Sequence, residues 1–181
     1  MSTKICTGKV RFSFCHVWEP RASENGGDPK YSVTLLIPKS DKATLNAIQQ
    51  AMAEARENFC KRNGAASLPA KPKHTLYDGD GERPSGDPFG PECKGCMVIT
   101  VSSKKRPMIV NKAKQTIIDQ EEVYSGCYGA AVIDFYGYNS NGNKGISAEL
   151  KGIMKLADGE PFGSVCTADD FADFGDDDDW M

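Results

Sequence analysis

The sequence predicts a mainly β domain with one inserted α-helix, followed by a disordered acidic tail. Several short segments alternate apolar and polar residues between turns rich in Gly, Pro and Asn, which is typical of strands. One segment has apolar residues at the spacing of three and four that indicates an amphipathic helix. The final thirteen residues contain seven Asp and no Lys or Arg. We therefore expect the 181-residue chain to form one domain over residues 1–166 and a tail over residues 167–181.

The N-terminal part of the domain is predicted to form a hairpin. From Ile5 to Trp18 apolar and polar residues alternate, with the period of a half-buried strand. The apolar face, expected in the core, carries Val10, Phe12 and Phe14. The opposite face carries Lys9, Arg11 and Ser13. Residues 19–29 are turn formers, and Lys30 to Ile37 resumes with β-branched and aromatic residues as the second strand.

One α-helix is predicted after the hairpin. Ser40 or Asp41 can cap its N-terminus. The helix is expected to end near Lys61, because Asn63 and Gly64 supply a left-handed stop. Its apolar stripe consists of Leu45, Ile48, Met52, Ala55 and Phe59.

The segment after the helix is predicted to be a long loop, because residues 65–96 are rich in Gly and Pro. Two short strands, Met97–Ser103 and Pro107–Val110, follow it. They are expected to form a finger, joined at a basic turn made of Lys104, Lys105 and Arg106.

The last pair of predicted strands spans Gly126–Tyr138 and residues 146–156, with a turn rich in Asn and Gly between them. The core face of the first is expected to carry Ala131, Ile133 and Phe135. The opposite face carries Tyr128, Asp134, Tyr136 and Tyr138. The prediction is thus about six short strands and one helix, which fits a five-stranded barrel with extra strands.

The charge of the chain is divided between domain and tail. The 22 Lys and Arg against 25 Asp and Glu give −3, whereas removal of the seven tail Asp leaves 22 against 18, or +4. A basic domain with an acidic, aromatic tail suggests that the domain binds a polyanion and that the tail occupies the same site when the polyanion is absent. The alternative is that the tail serves only to keep the protein soluble. The tail residues that would contact a partner are Asp169, Asp170, Phe171, Asp173, Phe174, Asp176, Asp177, Asp178, Asp179 and Trp180.

Tyrosines and cations near one another in strand order predict a surface for single-stranded nucleic acid. Bases stack on aromatic rings while cations follow the phosphates. The alternative is that outward tyrosines simply suit a half-exposed strand. The predicted nucleic-acid-binding residues are Lys9, Arg11, Lys104, Lys105, Arg106, Tyr128, Tyr136, Tyr138 and Lys144.

The seven cysteines are an odd, scattered set and are expected to be reduced thiols. Cys93 and Cys96 form a single CxxC, which we interpret as two ordinary thiols. Half of a zinc site, with His74 and His16 as the further ligands, is the alternative, although structural zinc needs four ligands at characteristic spacings. No cofactor or metal is expected.

Motifs typical of enzymes are missing from the sequence. It contains no phosphate-binding GxxxxGK, no GxGxxG opening a helix and no HExxH. Cys127 between two glycines suggests a thiol nucleophile, but a kinked strand start is the simpler interpretation. With neither a signal-peptide pattern nor an apolar run of membrane-spanning length, the chain is expected to be a soluble intracellular protein that does not enter a membrane.

Several stretches together resemble a family of bacteriophage single-stranded DNA-binding proteins. They are Glu24–Leu45, Tyr77–Arg83, Ser102–Pro107, Tyr124–Leu150, Asp158–Gly163 and the acidic terminus. The resemblance implies an OB-fold that binds displaced single strands during phage replication or recombination in the cytoplasm of the infected host. It also implies a tail that recruits replication or recombination proteins and competes with DNA. The CxxC departs from the family pattern.

Two other classes of function stay open at this point. An RNA-binding chaperone of the cold-shock type would share the barrel and the aromatic surface. A zinc- or thiol-dependent protein would use Cys93 and Cys96. The sequence also leaves a homodimer open, and it contains no signal for site size or cooperativity.

Overall fold

Eight strands and one α-helix make up the part of the chain that the structure describes. The computed structural model describes residues 3–22, 28–69, 72, 74–82, 86–140 and 143–161. The strands are β1 (Lys4–Cys6), β2 (Val10–Arg21), β3 (Lys30–Pro38), β4 (Leu76–Asp78), β5 (Cys96–Ser103), β6 (Met108–Val110), β7 (Tyr128–Ser140) and β8 (Asn143–Ala157). The helix α1 spans Lys42–Asn63, and single 3-10 turns span Pro91–Cys93 and Gln120–Glu122. The predicted tail lies outside the described residues.

Five of the strands pair in a closed ring, in the order β2, β3, β5, β8, β7 and back to β2. All of these pairings are antiparallel except that of β5 with β8. Two junctions are short: β5 meets β8 only at Ser102 and Glu149, and β2 meets β7 at Val10 and Arg11. The ring is therefore OB-like rather than a regular barrel, and β1, β4 and β6 are the extra strands on β7, β5 and β8. The predicted mainly β fold with one helix is confirmed.

The interior of the ring is apolar because one face of each strand points into it. The predicted inward positions Val10, Phe12, Ala131, Ile133 and Phe135 are buried, as are Val33, Leu35, Ile37, Ile99 and Val101 of β3 and β5. These residues form one core cluster. The alternation read from the sequence is thus confirmed along β7 and the start of β2.

The prediction that Phe14 lies in the core is wrong, since its side chain is 52% exposed. The pairing of β2 with β3 shifts between Ser13 and His16, and Phe14 has a φ of 45°. An extra residue at a β-bulge breaks the strict alternation of faces. The apolar periodicity of the sequence could not locate this bulge.

Helix α1 begins and ends at the predicted signals. Asp41 caps it by accepting hydrogen bonds from the Thr44 backbone N–H at 3.2 Å and the Thr44 hydroxyl at 2.6 Å. Gly64, with a φ of 106°, ends it. The helix packs on β7 at Gly137, where a Cβ would lie 2.7 Å from Phe59. No helix within the described ranges has the length and apolarity needed to cross a membrane.

Three further expectations about the strands are corrected. The single first strand is two strands, because the chain turns between Cys6 and Val10 and β1 pairs only with β7. The predicted finger does not form: β5 and β6 each lie parallel to β8. The long loop contains β4, which pairs with β5. These pairings join residues distant in sequence, so no local turn signal reveals them.

Candidate nucleic-acid interface

The outer face of β2, β3 and β5 has a floor of small polar side chains. Register places Ser13, Thr34 and Thr100 in one row across the three strands, and His16, Ser32 and Ser102 in the next. The Thr34 and Thr100 hydroxyls lie 3.1 Å apart. We call these two rows the floor. Ser13 and Thr34 are buried, whereas Thr100 is exposed and His16, Ser32 and Ser102 are partly exposed, so the accessible part of the floor is Thr100 and the second row.

At one end the floor opens into a groove that carries cations and an aromatic ring. Two adjoining depressions of about 240 and 410 Å³ share Lys30, Ser102 and Lys104 in their walls. Tyr136 of β7, 45% exposed, completes the wall. The charged and aromatic residues that define the groove are Arg21, Asp28, Lys30, Lys104, Lys105, Tyr136 and Glu149.

The electrostatics of the groove favour an anion. Four cations, Arg21, Lys30, Lys104 and Lys105, face two carboxylates, so the described lining has a formal charge of 4 − 2 = +2. The Lys104 Nζ lies 3.2 Å from a carboxylate oxygen of Asp28, in an exposed ion pair. Such exposed pairs are weak, so a phosphate can displace the carboxylate.

Arg21 is positioned by a histidine of the floor. Its Nη1 lies 3.1 Å from the Nε2 of His16. Partial burial lowers the pKa of His16, and the nearby positive charge of Arg21 lowers it further. At neutral pH the imidazole is therefore uncharged and can accept a hydrogen bond from the guanidinium.

The opposite end of the outer face carries a second cluster of predicted residues. The Lys9 Nζ and the Arg11 guanidinium lie 5.1 and 5.3 Å from the centre of the Tyr128 ring. Arg11 also donates hydrogen bonds to the carbonyls of Gly126 at 3.0 Å and Glu160 at 2.7 Å. Arg11 therefore holds the C-terminal segment of the domain as well as contributing charge.

Arg106 does not line the groove, although the sequence grouped it with Lys104 and Lys105. Its guanidinium lies 5.6 Å from the centre of the Trp18 ring, and the Trp18 indole N–H donates to the carbonyl of Val123 at 3.1 Å. This part of the surface also carries Met108 and Ile118, which are 69% and 88% exposed. The predicted basic turn is thus divided between two surfaces.

Tyr138 and Lys144 lie toward the tip of the β7–β8 hairpin. Tyr138 is half-buried on the same face of β7 as Tyr136, and Lys144 is exposed and pairs with Asn139. The hairpin tip at residues 141–142 is outside the described residues. DNA contact by any of the predicted residues stays a prediction.

Cys93, Cys96 and Cys127 occupy packed positions in the structure. Cys93 and Cys96 pack with Leu36, Val98 and Phe89 in a small apolar cluster. Within the described ranges no group of three or more His, Cys, Asp or Glu side chains is arranged to hold a metal. Burial raises the pKa of Cys127, whereas a thiol nucleophile needs a lowered one.

Comparison with known proteins identifies the family. Residues 3–181 match the sequence profile of the family described as Enterobacter phage Enc34, ssDNA-binding protein. The chain belongs to this family. It is also 32% identical, over 178 residues, to Putative protein p50 of Acyrthosiphon pisum secondary endosymbiont phage 1, covering 94% of this chain and 93% of that protein.

Solved structures of the Enc34 protein have the same fold. The single-stranded DNA-binding protein from bacteriophage Enc34 in complex with ssDNA superposes with a TM-score of 0.77 and 32% identity, covering 89% of this chain and 90% of that one. The single-stranded DNA-binding protein gp2.5 of bacteriophage T7 has a TM-score of 0.61 and 14% identity over 94% of this chain and 93% of its own, which shows a shared fold alone.

The position of the groove in this Enc34-family fold agrees with the general use of OB-folds. In such barrels the face of the second and third strands, with the loops beside them, binds oligonucleotides. In the present ring those strands are β3 and β5, which carry the floor.

Sequence reasoning missed Arg21, Asp28, Lys30 and Glu149 as groove residues. Arg21, Lys30 and Glu149 approach the predicted lysines only through pairing between strands, for example Arg21 with Lys30, and Asp28 lies in the connection before β3. The one available signal was that Lys30 begins a predicted strand next to a turn.

Proposed function

We propose that the protein binds single-stranded DNA without sequence preference, along the outer face of β2, β3 and β5. The observation that carries this proposal is the groove, where the exposed Tyr136 ring shares walls with Lys30, Lys104 and Lys105. Membership of the Enc34 family and the similarity to the Enc34 protein in complex with ssDNA support it.

The proposed mode of binding uses stacking and charge rather than reading of base edges. A base stacks on Tyr136, while the groove cations neutralise neighbouring phosphates. The accessible hydroxyl residues of the floor, Thr100, Ser32 and Ser102, offer the strand a polar surface beside the groove. Every base has a flat face, so this mode tolerates any sequence.

No chemical step is required for this function. A protein that covers single strands removes their secondary structure and shields them from nucleases. We place this activity in replication or recombination of phage DNA within the bacterial host, as the family membership suggests.

The acidic tail is proposed to compete with DNA for the groove. Its seven Asp are tethered to a domain of net charge +4, which gives them a high effective concentration near the groove. Asp169 follows Pro161 by eight residues, which span roughly 26 to 29 Å when extended. Arg11 holds Glu160 at one end of the outer face, and the groove lies roughly 20 Å away along β3. The connecting segment is therefore long enough for the acidic residues to reach the groove.

Phe171, Phe174 and Trp180 give the tail a second proposed role. Aromatic side chains in an acidic segment can anchor in an apolar pocket with a basic rim on a replication protein.

Truncation after Cys166 tests the competition between tail and DNA. It should tighten DNA binding most at low salt, because salt screens the attraction of the acidic tail to the groove as well as that of DNA. Affinity unchanged by truncation from low to moderate salt would favour the solubility interpretation of the tail.

Binding of fluorescent oligonucleotides, followed by anisotropy over a range of salt, tests the proposed function. We expect similar affinities for dT and dC oligomers, weaker binding of a duplex, and a linear fall of log affinity with log salt. Equal or tighter binding of matched RNA would favour the cold-shock alternative. No binding to any single strand would refute the proposal.

A further inference from the structure

An apolar pocket lies next to the groove, on the surface where Arg106 covers Trp18. We call it the Met108 pocket. Its volume is about 490 Å³, and Arg106 lies at its rim. Lys104 and Lys105 of the groove directly precede Arg106, so one stretch of chain joins the groove to this pocket. The apolar side chains of the pocket are Trp18, Pro107, Met108, Ile109, Ile117 and Ile118.

The backbone fixes the walls of the Met108 pocket. Residues 116–118 run antiparallel to β6, and the Ile117 N–H donates to the Ile109 carbonyl at 3.0 Å. Ile109 and Ile117 are buried, so the alternation of faces turns Met108 and Ile118 outward, where they are 69% and 88% exposed. Exposed apolar side chains grouped in one pocket indicate an interaction surface, whereas single ones are normal.

The size of the pocket suits a short segment rather than a second folded copy of the chain. A stable interface between folded proteins takes roughly 20 to 30 residues on each side. Only eight of the described residues line this pocket. One or two aromatic side chains, which bury about 150 to 250 Å² each, match it better. The occupant should therefore be a short segment that carries large aromatic residues.

The described part of the chain ends close to the Met108 pocket. Pro161 packs on Gly126, since a Cβ on that glycine would lie 2.9 Å from the Pro161 Cα. The Trp18 indole N–H donates to the Val123 carbonyl at 3.1 Å. Val123 and Gly126 are three residues apart and thus separated by at most roughly 11 Å. The tail therefore starts near the Trp18 wall of the pocket.

The tail is long enough to bring aromatic residues to the pocket. Phe171 and Phe174 follow Pro161 by ten and thirteen residues. Ten extended residues span roughly 33 to 36 Å, about three times the greatest separation of Val123 and Gly126. Both rings can thus reach the Trp18 wall without a fully extended connection.

Charge gives a docked tail its direction. Asp176–Asp179 begin two residues after Phe174. With the rings in the pocket, these four aspartates come within reach of Lys104 and Lys105, which line the groove and attract them. Asp119 follows Ile118 on the neighbouring segment and is exposed, so it repels the aspartates toward the lysines.

We propose that Phe171 and Phe174 dock in the Met108 pocket of their own chain and hold the tail aspartates over the lysines of the groove. This inference rests on the proposed competition between tail and DNA, and it adds an apolar anchor outside the DNA-binding face. The chain's own tail is favoured over a segment of another protein because tethering gives it a high effective concentration. A replication protein that binds the same two rings would then uncover the groove.

The fluorescence of Trp18 reports docking without DNA. The chain has two Trp, so Trp180→Phe leaves Trp18 as the single emitter. In that background, Phe171→Ser with Phe174→Ser should shift the emission to longer wavelength and increase its quenching by acrylamide, because the docked rings cover the indole. Unchanged emission and quenching would overturn the inference. An emission that varies with protein concentration would also overturn it, because it would show that tails dock between copies.

Affinity for a dT oligomer at low salt provides a second readout. A tail that is docked in roughly three-quarters of the molecules raises the apparent Kd about four-fold. The tail variant Phe171→Ser, Phe174→Ser should recover about this factor although every Asp is kept. The pocket variant Met108→Ser, Ile118→Ser should do the same, and thermal unfolding should show that its fold is retained, since both side chains are exposed.

A combined variant and a control complete the test. All four substitutions together should give no further gain, because each pair removes the same contact. Ala172→Ser, between the two rings, should leave both Trp18 emission and affinity unchanged.

The outcomes separate this inference from the proposed function. If the wild type binds single strands and both paired variants bind as it does, the inference is overturned and the proposed function stands. Gains that add in the combined variant would also overturn it, because rings and pocket would then act separately. Failure of the wild type to bind would refute the proposed function, and the emission of Trp18 would still decide whether the tail docks.

Discussion

Neutralisation of Lys104 and Lys105 should flatten the salt dependence of single-strand binding, whereas neutralisation of Arg106 should not. The two lysines line the groove, while the Arg106 guanidinium lies over Trp18 on another surface. These three consecutive residues therefore provide a test and its matched control in one turn.

The magnitude follows from counterion release. Each phosphate contact on a single strand contributes about 0.7 to the slope of log affinity against log salt, so the Lys104→Gln, Lys105→Gln double variant should lose about 1.4. Over a four-fold rise in salt, wild-type affinity should then fall about seven-fold further than that of the double variant. Arg106→Gln should keep a slope within about half of one contact of the wild type.

Anisotropy titrations at four or more salt concentrations measure all three slopes. Thermal unfolding of each protein checks that the fold is retained, which we expect because the lysine side chains are exposed. An unchanged slope for the double variant, or an equal flattening by Arg106→Gln, would refute the assignment of the groove.

Other outcomes can be measured with the same materials. Asp28→Asn should tighten binding of single strands at low salt by up to about five-fold, because it removes the carboxylate that lies 3.2 Å from the Lys104 Nζ and competes with phosphate. Weaker binding by this variant would show that Asp28 instead positions the lysine. Tyr136→Ala should bind roughly ten-fold more weakly with an unchanged unfolding midpoint, and a lowered midpoint with normal affinity would identify the ring as structural. Iodoacetamide at pH 8 should modify the exposed Cys6 rapidly but spare Cys15, because burial, and after it the nearby Cys127, raises the pKa of the Cys15 thiol to about 12. Mass spectrometry of protein that was treated in its native state measures the modification of each cysteine. Equal rates at the two cysteines would contradict the packing around Cys15.

The parts of the fold that depend on local signals were predictable. Asp41 and Gly64 mark the ends of α1, and the alternation along β7 places Phe135 inward and Tyr136 outward. Alternation failed at Phe14, because a single extra residue at a bulge reverses the faces without leaving a compositional signal. It also could not show that β6 lies parallel to β8, since parallel pairing joins segments distant in sequence.

The candidate site was predictable to the extent that it lies on single segments. Tyr136, Lys104 and Lys105 could be selected by residue type and by their place on predicted strands and turns. Lys30 and Glu149 join them only through the ring, whose register is set by bulges and by one parallel contact. For the same reason the sequence could not separate Arg106 from the adjacent lysines.

The short contact between β5 and β8 has a consequence for how binding and stability are linked. Ser102 and Glu149 make the one register pair that closes the ring there, and both residues also line the groove. A strand of DNA held in the groove would bridge this seam, where the ring is closed by a single register pair. Occupancy should then suppress opening of the seam, and opening of the seam should weaken binding by the same coupling free energy, because linkage is reciprocal. Amide hydrogen exchange near Ser102 of β5 and Glu149 of β8 would therefore slow on binding more than exchange in β3, whose pairings with β2 and β5 are longer.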